Sequence, residues 1–161
     1  MLLTLVPAIR AQQAASGGDN DDADSKEVFN YVLSMDKIRK LAAVQTDVKA
    51  LQKANPDLQK QMDNDNTDGN LSALAQKVQK YPRVAAIVKK DGLTPREYIV
   101  GTLALIQAGL GVSMKKNGTF QEYPLKMLTL VNPANLKIVE ANWDEIVKLM
   151  PSIEVKESDF N

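Results

Sequence analysis

Five side chains are of a type and at a spacing that could hold a ligand: Thr102, Gln107, Trp143, Arg96 and Tyr98. Thr102 and Gln107 sit inside residues 98–114, a run without a charged residue. A buried hydroxyl or amide must find a hydrogen-bond partner or cost about 1–3 kcal/mol. A core polar group or the backbone can supply that partner. So can the polar end of a ligand held in an otherwise apolar pocket. Arg96 and Tyr98 stand at the start of the run. A guanidinium beside the free N–H groups of a helix start can hold an anion there, although Glu97 competes for the same amides. Trp143 has Met150 at helical spacing, and an aromatic with methionine on one face is the ordinary composition of a core.

Other chemistries are excluded by residue type. The 161 residues include no Cys and no His. These residues offer no thiol nucleophile, disulfide, thiolate or imidazole metal site, imidazole base or His-ligated haem. Asp144 and Glu145 are neighbours in sequence only, because adjacent side chains on a helix point about 100° apart. The run Asp-Asn-Asp-Asn-Thr-Asp-Gly-Asn at 63–70 invites calcium. Placing Gly69 at the sixth position of an EF-hand loop puts Ala75 where a bidentate Glu is required, and starting at Asp63 puts Asp68 on the glycine position. Both registers fail, so the run reads as a polar turn. No metal and no cofactor is expected.

Lys77, Lys80, Arg83, Lys89, Lys90 and Arg96 give the middle of the chain a positive excess that could meet an anionic partner. Only Tyr81 and Tyr98 interleave with these charges, so no nucleic-acid surface is expected. A solvated helical face is the plainer reading.

The elements that position these residues are all helical in pattern. Formal charge balances at 20 basic and 20 acidic residues, and 44% hydrophobic with 25% charged residues is ordinary for one globular domain. Thr94-Pro95-Arg96-Glu97 predicts a helix start, with a hydroxyl cap, Pro at the first helical position and Glu three residues after the cap. Leu93 and Tyr98 can close it as a hydrophobic staple. The helix over about 95–114 shows no polar face and is expected to be buried on all sides. Its uncharged stretch of 17 residues lies at the short end of the ~17–25 that cross hydrocarbon, and no membrane span is expected in the mature chain. Small residues at Gly101, Ala104, Ala108 and Gly111 let neighbouring backbones approach.

Around it, helix starts are predicted at Asp24 with Glu27, at Ser34, at Asn55-Pro56, at Asn70 and at Pro82. Ile38, Leu41, Ala42, Val44, Val48 and Leu51 follow helical spacing, as do Leu71, Leu74, Ala75 and Val78. Asn132-Pro133 opens a last stripe of Leu136, Val139, Trp143, Ile146, Val147 and Met150. Asn142 with Glu145 mimics a further cap, but the apolar phase continues across it and predicts one helix over 133–150. The expected fold is an all-α, single-domain helical bundle, with the apolar helix wrapped by amphipathic ones. Residues 16–25 read as an acidic linker, 26–151 as the helical domain and 152–161 as an acidic tail.

Residues 1–15 carry an apolar run, 2–9, followed by small residues and Gln. This is the later part of an export signal without its basic start, with cleavage after Ala11, and predicts a periplasmic or secreted protein. The alternative is an apolar N-terminal segment that stays on the chain.

Gly92-Leu93-Thr94-Pro95-Arg96-Glu97-Tyr98 and Asn132-Pro133-Ala134-Asn135-Leu136, the latter leading into Val139-Glu140-Ala141-Asn142, resemble small exported all-helical proteins of Gram-negative soil bacteria. The resemblance covers the C-terminal half. It implies export and an all-α fold, and it brings no activity and no catalytic residue. The leading expectation is therefore a non-enzymatic, exported helical protein that binds a protein partner or a small apolar molecule. The alternatives are an envelope module tethered by its N-terminus, and an enzyme working with Asp, Glu, Lys, Arg and Tyr alone.

Overall fold

The chain begins its described structure with α1 (Asn20–Asn30), followed by α2 (Met35–Ala54) and α3 (Pro56–Asn64). Next come α4 (Leu71–Lys80), α5 (Pro82–Lys90), the long α6 (Pro95–Asn117), α7 (Pro133–Ala141) and α8 (Trp143–Leu149), and a 3-10 turn at Pro151–Ile153 ends it. The computed structural model describes residues 20–65, 70–117 and 131–153, and no strand occurs among them. The export-like segment 1–15, the middle of the Asn/Asp turn at 66–69 and the tail beyond 153 lie outside the described residues.

The fold is an all-α bundle organised on α6, which packs against α1, α2, α4, α5, α7 and the 3-10 turn. Its entrance is the predicted capping box. Glu97 N–H donates to Thr94 Oγ1 at 3.1 Å, and Thr94 N–H donates to Glu97 Oε2 at 2.9 Å. Leu93 and Tyr98 are both buried. Ahead of the box, α5 ends at Asp91-Gly92, and Gly92 adopts φ 75°, a left-handed turn that a β-carbon would strain.

The core is built from Ile38, Leu41 and Val44 of α2, Val84 and Val88 of α5, Leu105 and Val112 of α6, Val139 of α7 and Ile146 of α8, all essentially inaccessible. Each such side chain stabilises the fold by about 1.5–3 kcal/mol relative to exposure. The helix α6 is long and apolar enough to cross a membrane by length and composition, and 67% of its apolar window is buried inside the bundle. That is the arrangement of a core helix whose cover is supplied by amphipathic neighbours.

Four expectations are corrected. First, α6 is not buried all round. Thr102, Leu103, Ile106, Gln107 and Leu110 form a half-buried stripe along one side. Second, α1 starts at Asn20, inside the stretch read as a linker. Asp24 does not cap its own helix; its carboxylate accepts the Leu71 N–H at 2.7 Å and so caps α4.

Third, the helix over 133–150 breaks at Asn142. The Asn142 amide donates to the Ile138 carbonyl at 2.8 Å, closing the end of α7, and its side chain gives no capping bond to the start of α8. Fourth, the tail does not begin at Ser152, because Ile153 is buried against α6. The fit depends on Gly109, where a β-carbon would lie 2.2 Å from Ile153 Cγ1.

Candidate functional site

The corner between α4 and α5 follows from one proline. A residue before Pro is pushed out of helical conformation, so α4 stops at Lys80 and Tyr81 adopts φ −108°, ψ 92°. Pro82 then opens α5 at its first position. The sharp corner turns the Tyr81 ring into the core, where it is 8% exposed, and leaves its hydroxyl at the edge. Facing this corner is one side of α3, on which Leu58, Gln61 and Asp65 recur at helical spacing. Between them lies an open cleft of about 790 Å³, lined by Leu58, Gln61, Asn64, Asp65, Lys80, Tyr81, Pro82 and Arg83.

The cleft has an apolar floor and a charged rim. Leu58 is half-buried and packs on the core, the exposed Pro82 adds apolar lining, and the Tyr81 ring is turned inward. Lys80 Nζ donates to Asp65 Oδ2 at 2.8 Å. The single Tyr81 phenol proton faces two acceptors, Asp65 Oδ2 at 3.0 Å and the Gln61 carbonyl at 3.2 Å. Lys77 Nζ donates to the Asp65 backbone carbonyl. Arg83 Nη1 donates to Asn55 Oδ1 at 3.1 Å. Among the described residues Arg83 makes no ion pair.

The electrostatics follow from these bonds. The ammonium of Lys80 and the phenol of Tyr81, both donating to its carboxylate, hold Asp65 below the usual carboxylate range. Asp65 in turn raises Lys80. Burial, and then the Asp65 carboxylate, push the Tyr81 phenol up. Each of the three is moved away from neutrality. A group that trades protons efficiently has its pKa near the working pH, so this trio can bind and orient but is poorly placed for acid–base work near pH 7.

The five residues singled out by type do not line this cleft. Arg96 is a clamp. Its Nε and Nη2 donate to the two Glu27 carboxylate oxygens at 2.9 and 2.5 Å, and its Nη1 donates to Ser72 Oγ at 2.9 Å. With Asp24 Oδ1 3.5 Å away, it ties α1, α4 and α6 together. Tyr98 is buried in the core, which pushes its phenol up to about 12. Trp143 is buried at the start of α8, with Lys116 Nζ 5.9 Å from its ring centroid. Gln107 and Thr102 lie on the half-buried stripe of α6. Thr102 Oγ1 is buried and has no hydrogen-bond partner among the described residues.

The second stretch carrying the resemblance is also structural. Asn135 is 1% exposed; its Oδ1 accepts the Leu33 N–H and its Nδ2 donates to the Tyr31 carbonyl, both at 2.8 Å. Asn132 Nδ2 donates to the Phe29 carbonyl at 2.8 Å. Together they pin the α1–α2 connection to α7.

Sequence reasoning did not single out the cleft as a site. Its signal was present in part, because Lys77, Lys80 and Arg83 belong to the positive excess noted along the middle of the chain. What was missing was the face of α3 that meets them. Compared with protein families, curated proteins and solved structures, the chain matches none.

Proposed function

We propose that this is a non-enzymatic helical binding protein whose ligand docks at the α3–α5 cleft, outside the core. The open cleft itself carries the reading: about 790 Å³, with an apolar floor and convergent polar groups on its rim. Clefts of roughly 300–1,000 Å³ with a few placed polar groups are the usual form of a small-molecule or side-chain site. The shifts of Asp65, Lys80 and Tyr81 away from neutrality support binding over catalysis. Export is part of the proposal, resting on the apolar-then-small pattern of residues 1–15 and on the resemblance to small exported helical proteins.

Native mass spectrometry on protein purified from the host's envelope fraction tests both parts. The expected species begins near Gln12 and retains a small added mass, which Gln61→Trp, filling the cleft, removes. A chain that keeps its first residues and carries no added mass would overturn the reading in favour of a tethered structural module.

A further inference from the structure

The charges around the cleft are unequal, and their imbalance says what kind of ligand it takes. Among the described residues that line the cleft, two side chains are cationic, Lys80 and Arg83, and one, Asp65, is a carboxylate. Asp65 Oδ2 already accepts from both Lys80 and Tyr81. Arg83 spends one N–H on the neutral Asn55 amide. A guanidinium has five donors in a planar fork that matches a carboxylate or phosphate edge, so most of the Arg83 fork remains available. It lines the cleft together with the apolar side chains of Leu58 and Pro82. The first turn of α5 has no side-chain cap and adds its partial positive charge at the same end.

Resting on the reading of the cleft as the binding site, we infer that it selects an oxyanion carried on an apolar body. Arg83 takes the oxyanion, and half-buried Leu58 with exposed Pro82 takes the body. A cationic ligand meets the like charges of Lys80 and Arg83, and the Asp65 carboxylate already carries the Lys80 ammonium on its Oδ2. The same chemistry is offered by a free small carboxylic acid and by an acidic side chain next to an aromatic one in a peptide.

Three probes of one shape isolate the charge: 4-phenylbutyrate, its amide and the corresponding amine. Each is titrated into the full chain and followed by amide chemical shifts of residues 58–65 and 80–84. The acid is expected to bind about tenfold more tightly than the amide, and the amine more weakly still, as for one charge-assisted pair. Arg83→Gln is expected to remove that tenfold preference while leaving the amide's binding unchanged. Asp65→Asn, which frees Lys80, is expected to strengthen the acid. A parallel arm uses an acetylated Phe-Glu dipeptide amide against its Phe-Gln counterpart; tighter binding than phenylbutyrate assigns the site to a peptide, and weaker binding to a free acid. Equal binding of acid and amide, or preference for the amine, overturns the inference and leaves the cleft a binding site. No shift at the cleft with any probe overturns both.

Discussion

Two polar clusters of similar composition, one at the start of α6 and one at the α4–α5 corner, do different work. At the Arg96 cluster every strong group is matched. The guanidinium meets Glu27, Asp24 and Ser72, and the second oxygen of Asp24 caps α4. Beyond the end of α1, Asn135 is likewise satisfied at both ends of its amide. At the α4–α5 corner the same residue types leave a surplus. Lys80 pairs with the Asp65 carboxylate, Lys77 donates to the Asp65 backbone carbonyl, and Arg83 makes no ion pair among the described residues. A matched cluster has nothing left to offer a ligand and acts as a fastening. An unmatched one beside an apolar floor keeps a charge available. Residue type alone does not separate the two; the count of partners does.

The contrast can be broken most forcefully at Asn135. Asn135→Leu strands a buried N–H of Leu33 and a carbonyl of Tyr31, each costing about 1–3 kcal/mol. The expected loss is about 3 kcal/mol by urea denaturation, with phenylbutyrate binding retained in the folded fraction. A loss under about 0.5 kcal/mol would show that this end is not the fastening described.

Gly109→Ala comes next. Its β-carbon would overlap Ile153, so the 3-10 turn must shift. Overpacking costs about 1–3 kcal/mol, and alanine's helix preference returns up to about 1. A net loss of about 1 kcal/mol is expected, and adding Ile153→Ala to Gly109→Ala is expected to recover part of it. Failure of that rescue would mean the turn does not rest on the glycine.

Arg96→Met opens the matched cluster. Its partners are partly exposed, so about 1 kcal/mol is expected, reduced in high salt. The pH dependence has a definite sign. The Arg96 hydrogen bonds hold Glu27 below the usual glutamate range. The folded state therefore binds that proton less readily than the unfolded chain. The contribution is fully present above the ordinary glutamate range and is lost as pH falls through the depressed value. Thermal melts across acidic pH should show a shallower decline for Arg96→Met than for the parent.

The smallest effect on stability belongs to the corner. Arg83→Gln is expected to leave the melting curve within about 0.5 kcal/mol of the parent, as for surface changes away from packed features, even though it removes the preference for the acid. A large destabilisation would place Arg83 among the fastenings and erase the distinction.

Much of the architecture was legible from local chemistry. The Thr94–Glu97 box, the Ser34, Asn70 and Asn132 caps and the proline starts at Pro56, Pro82, Pro95 and Pro133 all stand where spacing predicted. Asn142 was misjudged because one asparagine can cap the helix before it or the one after it, and its carboxamide chose the Ile138 carbonyl. The site was less legible. The types Arg, Tyr, Gln, Thr and Trp drew attention to the central helix, yet Arg96 proved to be spoken for and Tyr98 and Trp143 buried.

What the sequence determined by itself is the set of helices and their ends. Caps, prolines and apolar periodicity act within a few residues, so their outcome is written locally. The absence of Cys and His likewise removed whole chemistries before any folding. Only the tertiary structure decided which polar groups would be consumed. Asp24 meets Leu71 across 47 positions, and Asn135 meets Leu33 across 102. Such pairings leave no local signature, because they depend on how helices pack around α6. The same packing set one face of α3 against the α4–α5 corner and left Arg83 with more donors than acceptors.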